Sequence, residues 1–173
     1  NETLQNVRMV SRLLSKDPSS MGYFYSRDLQ HKVNQLLKYN QYDLIVVFSS
    51  SAAQYVEHVT DIPKMLDFCD MDSQKWLAYV DYKKWPISMG YALEGRKLVA
   101  DEKRLAKKFD LCSCATDFEV ETLESYVTGV ASGYFPNGVD SEFFTPIDVD
   151  FVKNSICFVG RMDYYPNEVC IIN

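Results

Sequence analysis

Three aspartates, a lysine and a tryptophan lie close together in the segment Asp67-Phe-Cys-Asp-Met-Asp-Ser-Gln-Lys-Trp76. Carboxylates accept hydrogen bonds from hydroxyl groups, and a tryptophan offers a large apolar face for stacking. The segment therefore predicts contact with a sugar, with Asp70 and Asp72 as its central carboxylates. The alternative is that Asp72 or Ser73 only caps the helix that follows.

Asp70 and Asp72 also match an Asp-x-Asp pattern in which two carboxylates hold a divalent ion against diphosphate oxygens. Two aspartates separated by one residue are common by chance, and the five cysteines lack the spacing of a zinc site. We therefore predict no metal ion and no other cofactor, and we expect free thiols, as in a reducing cytosol. The two histidines, His31 and His58, are predicted to be surface residues without a catalytic partner.

A second candidate site is Gly160-Arg161, which directly follows the apolar run Ser155-Ile-Cys-Phe-Val159. Glycine allows the backbone to approach a ligand closely, and a guanidinium group can form two hydrogen bonds with diphosphate oxygens. The pair is predicted to contact a phosphorylated ligand. The alternative is a surface arginine that caps the turn.

Positive charge is concentrated on one predicted helix, although the chain is acidic, with 18 Lys and Arg against 24 Asp and Glu. Over residues 93–109 the basic side chains fall within about 140° of arc, opposite an apolar stripe. They are Arg96, Lys97, Lys103, Arg104, Lys107 and Lys108. With Lys83, Lys84 and Trp85 just upstream, this basic face predicts peripheral docking on anionic lipid headgroups. A solvated amphipathic helix is the alternative.

Alternating strands and helices must position these residues. Short apolar runs typical of buried strands occur at 43–48, 64–68, 110–114, 130–135 and 155–159. Helices are predicted before and between them, at 28–37, at 52–58 behind a serine cap at 49–51, after residue 73, at 93–109, and after a capping box at 116–119. The alternation predicts an α/β fold, a Rossmann-like parallel sheet flanked by helices, whose ligands bind beyond the carboxyl ends of the strands.

Four blocks of residues occur in an order that resembles a known family. They are Asp67–Trp76, Glu94-Gly-Arg96, Asn137-Gly-Val-Asp140 with Phe143, Phe144 and Pro146, and Phe158-Val-Gly-Arg-Met-Asp-Tyr-Tyr-Pro-Asn167. Together they closely resemble the sugar transferases of bacterial exopolysaccharide systems, within family four of the retaining, GT-B glycosyltransferases. The resemblance covers essentially the whole chain.

The resemblance implies part of a two-domain enzyme. Residues 1–140 are the expected later part of the N-terminal, acceptor-side domain, 141–154 the interdomain linker, and 155–173 the start of the C-terminal, donor-binding domain. Both ends are then expected to be cut, and the chain alone is expected to be inactive. The Asn137–Asp140 block is the expected hinge.

The activity implied by the resemblance is transfer of a sugar, of the hexosyltransferase type, from a nucleotide-diphosphate sugar to a saccharide, lipid-linked acceptor in exopolysaccharide biosynthesis. Asp70 and Asp72 are the expected catalytic residues, and Gly160 and Arg161 the expected contacts of the donor diphosphate. The residues expected to bind the acceptor are Ser73, Lys75, Trp76, Glu94 and Arg96.

The alternative is a non-catalytic Rossmann-like module that binds a carbohydrate or a protein. Three departures from the family pattern favour it. Asp70 stands where many members have a histidine, and Pro166-Asn167 stands where many have a lysine. Glu94 and Glu102 copy the spacing of the family's paired glutamates but precede the linker.

Length and composition exclude several classes of protein. A chain of 173 residues that is 47% hydrophobic can bury a domain core, which excludes intrinsic disorder. The net charge of −6 argues against nucleic-acid binding. No apolar run approaches the roughly 20 residues of a membrane helix, and the first residues lack the pattern of a signal peptide. The expected location is cytoplasmic, peripheral on the inner face of the membrane.

Overall fold

The computed structural model describes residues 15–146, 150, 152–162 and 165–172. Within these ranges the strands are β1 Ile45–Phe48, β2 Lys64–Cys69, β3 Leu111–Cys114 and β4 Ser132–Tyr134. The helices are α1 Ser19–Phe24, α2 Arg27–Tyr39, α3 Ser50–Ala53, α4 Asp72–Ala78, α5 Ile87–Ala106, α6 Asp117–Tyr126 and α7 Tyr165–Ile172, with a 3₁₀ turn over Tyr79–Tyr82.

The four strands form one parallel sheet in the order β1-β2-β3-β4. Each of the first three strands pairs with the strand that follows it along the chain. The predicted α/β fold, with a Rossmann-like parallel sheet flanked by helices, is confirmed. The first four predicted strands are all present, and their ends differ from the predicted ones by at most two residues.

The two faces of the sheet differ in burial. Along β2, Lys64, Leu66 and Phe68 are buried, whereas the residues between them are half-buried. On β1, Val47 is 6% exposed, but its neighbours Val46 and Phe48 are 62% and 73% exposed. Since successive side chains of a strand point to opposite faces, the helices cover one face, and the described residues leave the other largely open. Right-handed crossovers that all advance in one direction along a sheet have this result.

The covered face carries the hydrophobic core. Leu66 of β2, Leu105 of α5 and Leu123 of α6 are almost completely buried there. Cys112 and Cys114 of β3 belong to the same core, and burial raises the pKa of each thiol to about 12. Such thiols stay protonated and unreactive near neutral pH. All five cysteines of the chain are free.

Side-chain caps fix the starts of two helices. At α2, Ser26 Oγ accepts a hydrogen bond from the amide of Leu29 at 3.3 Å. At α6, Thr116 Oγ1 accepts from the amide of Glu119 at 3.3 Å and donates to its carboxylate at 3.1 Å. The predicted cap at 116–119 is therefore confirmed, and it joins β3 to α6 in a fixed direction.

The basic face predicted for residues 93–109 needs correction. Helix α5 begins six residues before the predicted start. Lys97 is buried, so the prediction that it lies on an exposed face is wrong. Arg104 and Lys108 both pair with Glu57, and Arg104 also pairs with Asp101. Burial acts to raise the pKa of Glu57, but the two cations outweigh it and the pKa is lowered. Local carboxylates thus neutralise part of the predicted positive charge.

The chain divides into two compact units, residues 1–137 and 138–173. In the second unit, residues 155–159 have no regular secondary structure, and Ile156 and Val159 are exposed. A strand needs a neighbour for its backbone hydrogen bonds, and the described part of this unit provides none. The predicted fifth strand is therefore wrong in this structure.

Candidate functional site

The loops after β1, β2 and β3 begin side by side at the carboxyl edge of the sheet. The amide of Ser49 donates to the carbonyl of Asp67 at 2.8 Å, and the amide of Ala115 donates to the carbonyl of Cys69 at 2.7 Å. These bonds continue the strand pairing to the ends of the strands. The three loops therefore form one continuous edge, the place where open parallel sheets bind ligands.

Asp67 occupies the middle of this edge, on the open face of the sheet. Its Oδ1 accepts from the hydroxyl of Ser113 at 2.9 Å and from the amide of Cys69 at 3.2 Å. Burial, reinforced by the negative charge of Asp67, raises the pKa of the Cys69 thiol to about 11. No separate role was predicted for Asp67 from the sequence. The signal that could have identified Asp67 is its position near the end of a strand, between two residues that face the core.

Two residues at this edge have backbone angles that favour glycine. Ser49 has a φ of +74° and Cys69 a φ of +63°, at the ends of neighbouring strands. Such conformations cost about 1–3 kcal/mol at a non-glycine residue and cluster at functional sites. The hydroxyl of Ser49 contacts Ser51 Oγ at 3.1 Å and makes no cap to α3, which ends at Ala53, so the predicted serine cap is wrong here.

Side chains of α5 and α6 hold residues 70–74, which comprise the end of the connection after β2 and the first residues of α4; this segment is called the loop below. Glu119 Oε1 accepts a hydrogen bond from the amide of Met71 at 3.2 Å. Glu102 Oε1 accepts from the amide of Ser73 at 2.9 Å. Because carboxylates bind these amides strongly, the loop is fixed from two neighbouring helices.

Ser73 takes part in this support rather than in the exposed surface of the loop. Its side chain is fully buried, and its Oγ lies 3.0 Å from the hydroxyl of Tyr126. The side-chain amide of Gln74 donates to the same hydroxyl. A buried hydroxyl offers no surface to an acceptor, so the structure replaces the contact predicted for Ser73 with a role in anchoring the loop.

The loop carries one exposed and one half-buried carboxylate. Asp70 is exposed, and Asp72 is half-buried at the first residue of α4. Burial raises the pKa of Asp72; Asp70 adds to the rise, and Lys75 opposes it. The two predicted catalytic residues therefore share one loop at the carboxyl edge. Their contact with a sugar stays a prediction.

Glu102 is a functional candidate that the sequence analysis did not select. Burial raises its pKa to about 7, and the charge of Asp72 adds to the rise, while hydrogen bonds from Ser73 oppose it. Among the described residues, its Oε2 has no hydrogen-bond partner. A carboxyl group that titrates near neutral pH thus supports the loop that carries Asp72. A glutamate on the buried side of an amphipathic helix was the available signal.

Glu94 and Glu102 accept hydrogen bonds from backbone amides in different parts of the structure. Glu94 is buried, and its Oε1 accepts from the amide of Ser20 in α1 at 3.0 Å. Glu102 binds the amide of Ser73 instead. The predicted acceptor residue Glu94 therefore joins α5 to α1 and is not on the loop of Asp70.

Trp76 packs between helices. Its ring centroid lies 5.1 Å from that of Tyr91, which lies 5.6 Å from that of Tyr79. The half-buried indole thus joins α4 to α5, a role that the sequence analysis did not predict. Lys75 and Arg96 are exposed. The contact of these three predicted residues with an acceptor stays a prediction.

In the second unit, Asn167 holds the Gly160-Arg161 turn. Its Nδ2 donates to the carbonyl of Arg161 at 2.9 Å. A Cβ at residue 160 would lie 2.8 Å from the same Nδ2, so glycine fits this position best. The side chain of Arg161 is exposed. Diphosphate contact by Gly160 and Arg161 stays a prediction.

The boundary between the two units falls inside the predicted hinge. That hinge comprises Asn137, Gly138, Val139 and Asp140. None of these residues belongs to a helix or strand. Asp140 Oδ1 accepts from the amides of Glu142 and Phe143 at 3.1 and 3.0 Å, a turn of the kind that aspartate favours. Movement at this segment stays a prediction.

No three His, Cys, Asp or Glu side chains within the described ranges are grouped so as to hold a metal ion. Among the helices in the described part of the chain, none has the length and apolar character needed to cross a membrane.

Comparisons with protein-family models, curated proteins and solved structures find no match to the chain. The functional evidence is therefore the chemistry of the carboxyl edge and the resemblance of its motifs.

Proposed function

We propose that these residues belong to a retaining GT-B glycosyltransferase that transfers a sugar from a nucleotide-diphosphate sugar to a saccharide acceptor. The observation that supports this most is a group of three aspartates, Asp67, Asp70 and Asp72, at the carboxyl edge of a parallel sheet. Two of them lie on a loop that α5 and α6 hold in place. The resemblance of the motifs supplies the reaction class.

The proposed chemistry assigns different tasks to the two carboxylates of the loop. Transfer at an anomeric carbon passes through a transition state with positive charge on the sugar, which a fixed, ionised carboxylate stabilises. Asp70 is exposed on the loop and is assigned to this task. Asp72 is half-buried and is assigned to a sugar hydroxyl, since either protonation state can form that hydrogen bond.

The leaving diphosphate needs positive charge and backbone donors. Gly160 and Arg161 in the second unit are assigned to it, because glycine permits close approach and the guanidinium fork binds two oxygens. Lys75, Trp76 and Arg96 are assigned to the acceptor. The first and last of these are exposed.

Calorimetric titration of the full-length protein with UDP, GDP and their sugars, with and without magnesium, tests the proposal. We expect micromolar binding of one nucleotide sugar without a need for magnesium. Asp70→Asn and Asp72→Asn should each weaken binding of the nucleotide sugar about tenfold or more and leave binding of the free nucleotide unchanged, since only the sugar meets these carboxylates. Asp61→Asn, at an exposed position before β2, is the matched control.

A non-catalytic carbohydrate-binding module is the second candidate. The burial of both Glu94 and Glu102 favours it, because neither glutamate is free to serve a donor sugar. Failure of every nucleotide to bind, together with saccharide binding that Asp70→Asn abolishes, would replace the transferase with this module.

A further inference from the structure

The charges that α5 shows to solvent are all positive. Its three acidic residues, Glu94, Asp101 and Glu102, are buried. Arg96 is exposed, and Lys107 is exposed directly after the last residue of the helix. A chain with a net charge of −6 therefore buries all three acids of this helix, while Arg96 and Arg104 are exposed and only Lys97 among its bases is buried.

An exposed stripe runs along the outer side of α5. Met89, Leu93, Arg96, Ala100 and Lys107 are all exposed and follow one another at spacings of three, four or seven residues. Such spacings keep side chains on one side of a helix. The first two residues of the stripe are apolar, and two of the last three are basic.

The chain just before this stripe adds further apolar surface. Trp85 is 78% exposed. Lys84, next to the tryptophan, is also exposed. We call this set the α5 outer surface. It comprises Lys84, Trp85, Met89, Leu93, Arg96 and Lys107.

The composition of the α5 outer surface matches one kind of partner. Single exposed apolar side chains are normal on soluble proteins, but a cluster with a tryptophan marks an interaction site. Tryptophan and aliphatic residues enter the boundary between headgroups and acyl chains, while lysine and arginine bind anionic phosphates. The exposed acids that flank this surface along the chain are Asp81, three residues before Lys84, and Asp110, three residues after Lys107.

We propose that the α5 outer surface docks on an anionic lipid bilayer. Trp85, Met89 and Leu93 enter the headgroup region, and Arg96 and Lys107 bind lipid phosphates. This docking would keep the protein at a membrane surface whatever reaction the carboxyl edge performs. It is therefore independent of the proposed transferase activity.

Flotation of the full-length protein with vesicles tests this docking. We expect binding to mixed phosphatidylcholine and phosphatidylglycerol vesicles, no binding to phosphatidylcholine alone, and weaker binding as salt rises. Trp85→Ser should abolish binding, together with the blue shift of tryptophan emission that binding produces. Phe118→Ser, at a position 70% exposed on α6, is the matched control and should bind as the wild type does.

Charge reversal tests the basic half of the surface. Arg96→Glu combined with Lys107→Glu should lower partition onto the anionic vesicles about tenfold or more. Arg27→Glu combined with Lys32→Glu changes the net charge equally at exposed positions on α2 and should retain binding. Far-ultraviolet circular dichroism verifies that every variant is folded.

Several outcomes would overturn the docking. One is a wild-type protein that does not float with anionic vesicles. Another is an equal loss in the α2 control, which would show diffuse charge attraction instead of a defined surface. A third is a lipid-free dimer in sedimentation velocity that Trp85→Ser dissociates, which would make the α5 outer surface a contact between copies of the chain.

Discussion

Three acids near the loop after β2 differ in their surroundings. Asp70 is exposed, whereas Asp72 is half-buried and Glu102 is almost fully buried. Burial raises the pKa of the last two. The charge of Asp70 adds to the rise at Asp72, and the charge of Asp72 adds to the rise at Glu102. Of these acids, Glu102 is therefore the one whose pKa is raised to about 7, because it is the most deeply buried.

Glu102→Gln should make the stability of the protein less dependent on pH. The pKa of Glu102 is about 7 in the folded state, above its ordinary value of 4.5. The contribution of Glu102 to the free energy of unfolding is therefore complete below pH 4.5 and is lost as the pH rises through 7. Between about pH 5 and pH 8 the free energy of unfolding of the wild type should fall by about 2 kcal/mol more than that of the variant, since glutamine cannot ionise.

Urea unfolding at the two pH values measures this difference. Glu121→Gln, at an exposed position on α6, should leave the pH dependence of the wild type intact. Parallel pH profiles for Glu102→Gln and the wild type would show that Glu102 does not titrate in this range.

The residues that could be assigned from sequence are those whose neighbours along the chain already suggest a site. Asp70 and Asp72 belong to this group. Glu102 does not, because its partner, the amide of Ser73, lies 29 positions away. Asp67 likewise depends on Ser113, a residue of the next strand, 46 positions away. Contacts between distant elements have no local signature.

At the scale of elements, α4 and α5 pack closely at Gly95. A Cβ at residue 95 would lie 2.8 Å from side-chain carbons of Leu77 and 3.3 Å from its backbone nitrogen. Glycine to alanine inside a helix normally stabilises it by about 1 kcal/mol, but overpacking typically costs about 1–3 kcal/mol. Gly95→Ala should therefore lower the free energy of unfolding by about 1 kcal/mol.

Gly90→Ala is the matched control in the same helix. A Cβ there meets nothing within 4 Å, so only the helix propensity changes, and the free energy of unfolding should rise by about 1 kcal/mol. Urea titration of both variants at one pH measures the contrast. Stabilisation by both substitutions would refute the tight contact between α4 and α5.

Element prediction succeeded where an element carries its own signal. The β2 and β3 runs are apolar and flanked by polar turns, and α6 has a capping box. Residues 155–159 have the same apolar character, yet they form no strand, since the described part of their unit supplies no neighbour. The true start of α5 was missed because residues 87–92 lack the charged pattern that marked the rest of the helix.

At the scale of the whole molecule, the sheet has one covered and one open face. Val46 and Val47 are adjacent in β1 but are 62% and 6% exposed. Val47→Ala should lower the free energy of unfolding by about 2 kcal/mol, because it leaves a cavity in the core. Val46→Ala should change it by less than about 0.5 kcal/mol.

Equilibrium unfolding of the two valine variants decides whether the open face is a property of the protein in solution. Both lose the same two methyl groups from the same strand, so the difference in strand propensity cancels. Equal destabilisation would mean that both faces of β1 are packed.

The order of the strands in the sheet is also their order along the chain. During synthesis, β2 leaves the ribosome after its partner β1, and β3 and β4 likewise follow the strands that they pair with. Among the described strands, β2, β3 and β4 each find a partner that is already translated, so this sheet can grow by one strand at a time while translation continues. This connectivity suits the first unit to vectorial, cotranslational folding.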